Sequence, residues 1–247
     1  MSETTFETAV VTGASRGFGR AIAAALVALG TRVVGVARDE RDLSAVREVL
    51  GEGFTAFVGD ATDEALARDV ISEYQPGLLV LNAGATPHMA PLQEQTWETF
   101  SRNWHIDTRQ MFVWTRAALL APLVPGSVVV AMSSGAALAG SPLSGGYASA
   151  KQAIRYMRGY AAEESERSGL GIRFVALLPQ LTPTTGLGSV GVAGYAARQG
   201  ITPDAFAEGL ESILGPEQVA KAVLDVAGDS DGASEYVVSG AELRPLS

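Results

Sequence analysis

Short apolar runs alternate along the chain with segments whose apolar residues recur every three or four positions. The runs are Thr8 to Gly13, Arg32 to Ala37, Phe54 to Asp60, Leu78 to Gly84, Ser127 to Ser134, Ile172 to Pro179 and Glu235 to Gly240. They are strand-sized and largely apolar without alternation, as strands covered on both faces must be. Between them, Ile22, Leu26 and Leu29 stop at Gly30, and Leu43, Val46 and Leu50 stop at Gly51. That is the spacing and the terminus of an amphipathic helix. Strands alternating with helices predict an α/β fold, a doubly wound parallel sheet of about seven strands with helices on both faces. No linker, repeat or low-complexity block interrupts residues 1–247, which read as a single domain. One long segment, 180–214, shows no clear period. Rich in Gly, Thr, Ala and Pro, it follows the carboxyl end of a strand, where such sheets bind ligands, and is a candidate substrate lid.

Composition narrows the function classes. Of 247 residues, 47% are hydrophobic and 18% charged, enough apolar surface for a well-buried core. The chain has no cysteine and two histidines, which excludes disulfides and a Cys/His zinc site, and no metal is expected. A net charge of −9 without clustered Lys and Arg argues against nucleic-acid binding. No apolar run is long enough to span a bilayer, so no membrane partner is expected. The opening "MSETTFETAV" has neither a basic start nor a long apolar stretch, and a cytoplasmic location is the expectation.

Candidate chemistry begins at "TGASRGFG", Thr12 to Gly19, where the first strand runs into a helix. Gly13, Gly17 and Gly19 permit a tight turn and close backbone approach, and the helix amino end offers free N–H groups to a pyrophosphate. Ser15, Arg16 and Phe18 complete this candidate cradle. The second strand ends at Ala37 and Arg38, where an NAD-binding protein would place an acid for the ribose 2′-hydroxyl. Arg38 and Arg16 together suit a 2′-phosphate and favour NADP over NAD. The competing reading is two solvated surface arginines, with Asp39 and Glu40 neutralising Arg38.

In "SGGYASAK", Tyr147 and Lys151 stand four residues apart, on one helix face. A free phenol titrates near pH ~10. A neighbouring ammonium lowers that value and would make Tyr147 a usable acid or base.

Taken in order, "TGASRGFG", "GDATD", "LNAG", the paired serines Ser133 and Ser134, and "YASAK" resemble the short-chain dehydrogenase/reductase family in its single-domain form, over nearly the whole chain. The resemblance implies an oxidoreductase in which Asp60 and Ala61 hold the adenine and Asn82, Ala83 and Gly84 border the cofactor. It implies a catalytic serine thirteen residues before the tyrosine, which is Ser134. Ser134 would donate to the reacting oxygen, Tyr147 would supply the proton, and Lys151 would also bind the nicotinamide ribose. Pro179 and Thr184 would flank the nicotinamide, and the substrate would be a small carbonyl compound or alcohol. Relatives usually form homodimers or homotetramers. Two positions depart from the family pattern. Gln180 stands where a glycine commonly follows the proline, which predicts a different path into the lid. Asp107 stands where the family has a catalytic asparagine.

The expected substrate lining is Thr86, Pro87, His88, Pro142, Leu143, Leu181, Leu187 and Tyr195. His88 and His105 read as packing residues, and Trp97, Trp104 and Trp114 as core or subunit contacts along one helix. "AMSSGA" lacks the G-x-S-x-G elbow of a serine hydrolase. A non-catalytic NADP-sensing protein on the same fold is the alternative function; joint retention of Ser134, Tyr147 and Lys151 argues against it.

Overall fold

A computed structural model describes residues 6–246, so part of the amino-terminal segment read for a leader lies outside the described residues. The seven expected strands form as β1 (Thr8–Thr12), β2 (Arg32–Ala37), β3 (Phe54–Val58), β4 (Leu78–Leu81), β5 (Val128–Met132), β6 (Arg173–Pro179) and β7 (Glu235–Val238). An eighth, β8 (Leu243–Pro245), adds to the predicted set. At three residues, with Arg244 and Pro245, it has no apolar run to announce it. The sheet order is β3-β2-β1-β4-β5-β6-β7-β8. All neighbours are parallel except β7 and β8. The order reverses between β1 and β4, so the loops leaving these strands diverge and open a crevice at their carboxyl ends.

The connecting helices are α1 (Gly17–Ala28), α2 (Glu40–Leu50), α3 (Glu64–Tyr74), α4 (Trp97–Asn103), α5 (Arg109–Leu120), α6 (Ala136–Ala139), α7 (Gly145–Arg167), α8 (Gly186–Gln199), α9 (Pro203–Glu208) and α10 (Pro216–Gly228). Successive residues of β1 serve opposite layers. Ala9 and Val11 pack with Ile22 and Leu26 of α1, Leu43 of α2 and Val223 of α10. Val10 packs with Val70 and Ile71 of α3, Trp114 of α5 and Ile154 of α7. This period of two is why each strand must be apolar on both faces. Gly30 and Gly51 take the left-handed backbone just past α1 and α2, with φ of 84° and 67°.

Two expectations change. The tryptophan helix is not one regular helix, because a π-turn over Trp104–Thr108 separates α4 from α5. Trp114 is fully buried and donates its Nε1–H to Ala61 O at 2.8 Å. Trp97 and Trp104 are 76% and 41% exposed, so core packing accounts for only one of the three. The segment 180–214 is largely helical, containing α8 and α9. Its glycines hide the pattern and serve close packing instead. A Cβ on Gly188 would sit 1.9 Å from Thr182 O, and one on Gly194 would sit 2.9 Å from Met89 Cε. No helix among the described residues is long and apolar enough to cross a membrane.

Candidate active site

The crevice at the sheet's switch point continues under α8 as one cleft of about 1220 Å³. At one end the glycine turn leads into α1. Gly13 and Gly17 have φ of 68° and 53°, which a side chain would strain. A Cβ on Gly19 would lie 2.1 Å from Gly13 O, so only glycine lets the turn close. The N-termini of α2 and α3 are capped by Asp39 and Asp63, whereas α1 has no side-chain cap and no acid in its first turn. Its first-turn N–H groups are left for a ligand, and an anion fits them.

Asn82 braces this end, donating Nδ2–H to Thr12 O at 3.0 Å and Gly13 O at 3.3 Å. Thr12 Oγ1 accepts from the amides of Asn82 and Ala83 and donates to Gln110 Oε1 at 2.8 Å. Arg16 and Arg38 are exposed and line the cleft, as do Ser15, Phe18, Ala61, Ala83 and Gly84. Asp39 does not neutralise Arg38 in an ion pair; its Oδ1 accepts from Asp42 N at 3.0 Å as the cap of α2. Asp60 Oδ1 accepts from the amide and hydroxyl of Thr62, and these bonds hold its carboxyl below the ordinary carboxylate value, with Arg38 adding to the effect.

At the other end α7 brings in Tyr147 and Lys151. Gly146 makes this approach possible, since a Cβ there would lie 1.9 Å from Phe100 O of α4. Lys151 is buried; its Nζ donates to Met132 O at 3.0 Å and stands 5.6 Å from the centroid of the Tyr147 ring. Asp107, in the π-turn, is fully buried and puts Oδ2 3.2 Å from Lys151 Nζ. The ammonium meets that oxygen off the line of a hydrogen bond, so the contact is an ion pair. Asp107 Oδ1 accepts from Ala85 N at 2.8 Å and from Asn103 Nδ2 at 3.3 Å. Gly84 is pressed against this carboxylate, 2.9 Å from Oδ2 if it carried a Cβ.

The two serines divide their work. Ser133 donates its hydroxyl to Lys151 O at 2.8 Å and ties α7 to β5, while Ser134 Oγ accepts from Ala136 N at 3.2 Å and lines the cleft. The electrostatic expectation for Tyr147 needs correction. Burial of the phenol is the largest influence and raises it above its ordinary value; Lys151 and Ser134 pull it down, Asp107 and Tyr195 push it up, and the balance stays raised. Burial likewise works against the Lys151 ammonium, but Asp107 and then Tyr147 outweigh it and hold Lys151 above its ordinary value.

Of the residues expected around the substrate, Thr86, Pro87, Leu181, Leu187 and Tyr195 line the cleft, and His88, Pro142 and Leu143 do not. Leu143 is buried and uses its carbonyl to accept from Ala90 N. His88 and His105 are exposed rather than packed, because their loop and helix faces turn to solvent. Met89, Ile106 and Leu210 also line the cleft, and no period in the sequence marks them. Pro179 lies on the wall, and Gln180 keeps a negative φ, so no left-handed residue is needed where β6 ends. Thr184 lines the cleft but donates its hydroxyl to Leu214 O at 2.8 Å, leaving its oxygen only as an acceptor. Nothing in the sequence separates Asn103 and Gln110 from the many other polar residues of their helices; both are buried supports of the site.

Comparison with known proteins agrees with this architecture. The family model described as short chain dehydrogenase matches residues 7–191. An uncharacterized short-chain type dehydrogenase/reductase of Sinorhizobium fredii is 30% identical over 251 aligned positions, covering 98% of this chain and 97% of that protein. Among solved structures, a short chain dehydrogenase/reductase from Burkholderia phymatum in complex with NAD superposes with a TM-score of 0.79 at 21% identity, over 95% of this chain and 90% of the other. The 3-ketoacyl-(acyl-carrier-protein) reductase from Brucella melitensis complexed with NADH does so with a TM-score of 0.79 at 22% identity, over 95% and 97%. Those identities speak for the fold, and the extent of the family match for descent: this chain belongs to the short-chain dehydrogenase/reductase family.

Proposed function

We propose that the protein transfers a hydride between a nicotinamide cofactor, NADP(H) in preference to NAD(H), and the carbonyl or secondary alcohol carbon of a small, mostly apolar substrate. The observation that carries this reading is the meeting of Tyr147, Ser134 and Lys151 on one wall of a cleft whose far end is an uncapped, glycine-lined helix terminus. Arg16 and Arg38 would hold a 2′-phosphate, the segment Gly13 to Gly19 the pyrophosphate, Asp60 and Ala61 the adenine, and Asn82 to Gly84, Pro179 and Thr184 the nicotinamide half. Lys151 has three N–H groups. Met132 O takes one, and the ion pair with Asp107 uses none in a directed bond, which leaves N–H capacity for a ribose hydroxyl.

In reduction, charge grows on the carbonyl oxygen; Ser134 donates a hydrogen bond to it and Tyr147 delivers its phenolic proton. The raised Tyr147 value keeps that proton in place at neutral pH, so reduction is supported there. Oxidation needs the phenolate and therefore strengthens toward alkaline pH. The protein is assayed with NADPH and a panel of ketones, aldehydes and quinones, following the cofactor's absorbance. Carbonyl-dependent oxidation of NADPH is expected, and its absence across the panel would reject the reading.

Asp107 sets where this acid–base pair works. Its charge raises Tyr147, so Asp107→Asn should move the rising limb of the pH–rate profile for alcohol oxidation to lower pH. Measured with one alcohol at saturating NADP⁺, an unmoved limb or one moved upward would remove the electrostatic role.

A further inference from the structure

Beyond the Ser134, Tyr147 and Lys151 group, the cleft carries a second set of hydroxyls that this reaction leaves unused. Tyr195, on α8, hydrogen-bonds Ser141 through its hydroxyl and stacks on Phe206 of α9, ring centroids 6.0 Å apart. Ser141 Oγ lies 2.7 Å from Ser144 Oγ and accepts from Ser144 N at 2.9 Å. Ser144 is the residue before α7, three positions ahead of Tyr147, and makes no side-chain cap bond to that helix. Ser144 has an extended φ of −137°, and Tyr147 lies in the first turn of the helix it precedes. Tyr195 and Ser144 both line the cleft, and Ser141 stands behind them.

The protons of this chain can be counted. A serine hydroxyl has one O–H and two lone pairs. Ser141 gives one lone pair to the Ser144 amide, so it must accept from one of its two hydroxyl neighbours and donate to the other. The chain therefore runs one way or the reverse. Either Tyr195 donates inward and the Ser144 proton is free, or Ser144 donates inward and the Tyr195 proton is free. In both states the uncommitted proton belongs to a residue on the cleft wall, and the opposite end offers lone pairs. Such a pair can donate to a carbonyl or exchange bonds with a hydroxyl, and it holds no charge for an anion.

We infer that Tyr195 and Ser144 form a specificity site for a second, uncharged oxygen of the substrate, so that the substrate is a ketone or alcohol bearing a hydroxyl or carbonyl on a nearby carbon. This rests on the oxidoreductase reading above. A site built to hydrogen-bond a substrate oxygen discriminates against the analogue that lacks it, because its own polar groups are then left unpaired.

The test is a double ratio. 2-Hydroxycyclohexanone and cyclohexanone are compared as substrates for the wild type, Tyr195→Phe and Ser144→Ala. The added hydroxyl alters carbonyl reactivity equally in all three proteins, so that contribution cancels. Tyr195→Phe keeps the ring that stacks on Phe206, and thermal melting checks that each variant is folded. The preference in kcat/KM for the hydroxyketone is expected to fall about 10-fold in Tyr195→Phe and in Ser144→Ala, carried mainly by KM. A merely structural role, in which Tyr195 latches the lid, lowers both substrates alike and leaves the ratio unmoved. An unmoved ratio overturns the oxygen site while the oxidoreductase reading stands. A wild type that turns over neither ketone, nor any carbonyl of the wider panel, overturns both.

Discussion

Tyr147→Phe should bind NADPH as the wild type does and turn over at least ~10²-fold more slowly. The substitution keeps the ring, so its packing in the cleft wall and the position of Lys151 beneath it are preserved, and only the hydroxyl is lost. None of its partners in the proposed catalytic group, nor the neighbouring Ser133, can replace it. Ser133 has given its hydroxyl to the backbone of Lys151. Ser134 has no proton to give at neutral pH without becoming an alkoxide. Lys151 is held protonated by Asp107 and is engaged with Met132 O. Cofactor titration followed by single-turnover kinetics separates binding from chemistry; turnover within a few-fold of the wild type would falsify the proposed acid–base role.

Arg38→Asp should weaken NADPH binding by roughly 10- to 10³-fold while affecting NADH much less. Arg38 is exposed at the cleft edge and has no carboxylate in an ion pair with it among the described residues, so it is available to a phosphate. The replacement would repel a 2′-phosphate and could accept from a ribose 2′-hydroxyl. Dissociation constants for both cofactors decide it, measured at one ionic strength because exposed charges are screened. Equal losses would mean that Arg38 holds a part common to both cofactors and does not choose between them.

The fold was legible because its strands are apolar on both faces, a pattern few other arrangements tolerate. The glycine turn and the tyrosine–lysine pair were legible for a related reason: local spacing fixes which groups share a face. What escaped depends on distances between segments far apart in the chain. Gly146 matters because of Phe100, Gly84 because of Asp107, and Gly188 because of Thr182 O. The sign of the Tyr147 shift escaped for the same reason, since burial comes from the whole wall and not from the neighbour four residues on. Segment 180–214 hid two helices because α8 carries glycine, a poor helix former, at close contacts such as Gly188, Gly191 and Gly194.

The π-turn over Trp104–Thr108 has a meaning in the language of insertions and deletions. Such a turn is an α-helix that holds one residue too many, and the helix beyond it is rotated by about 100° relative to an uninterrupted one. The winding of α5, where Met111 and Trp114 are buried, is therefore offset in phase from that of α4, where Ser101 and Asn103 are buried. Removing a residue at this point would restore an ordinary helix and bring the two phases into one. It would also take away the wide turn from which Asp107 reaches both Ala85 N and Lys151. Between residues 97 and 120, then, the surplus residue and the buried charge pair occupy the same turn.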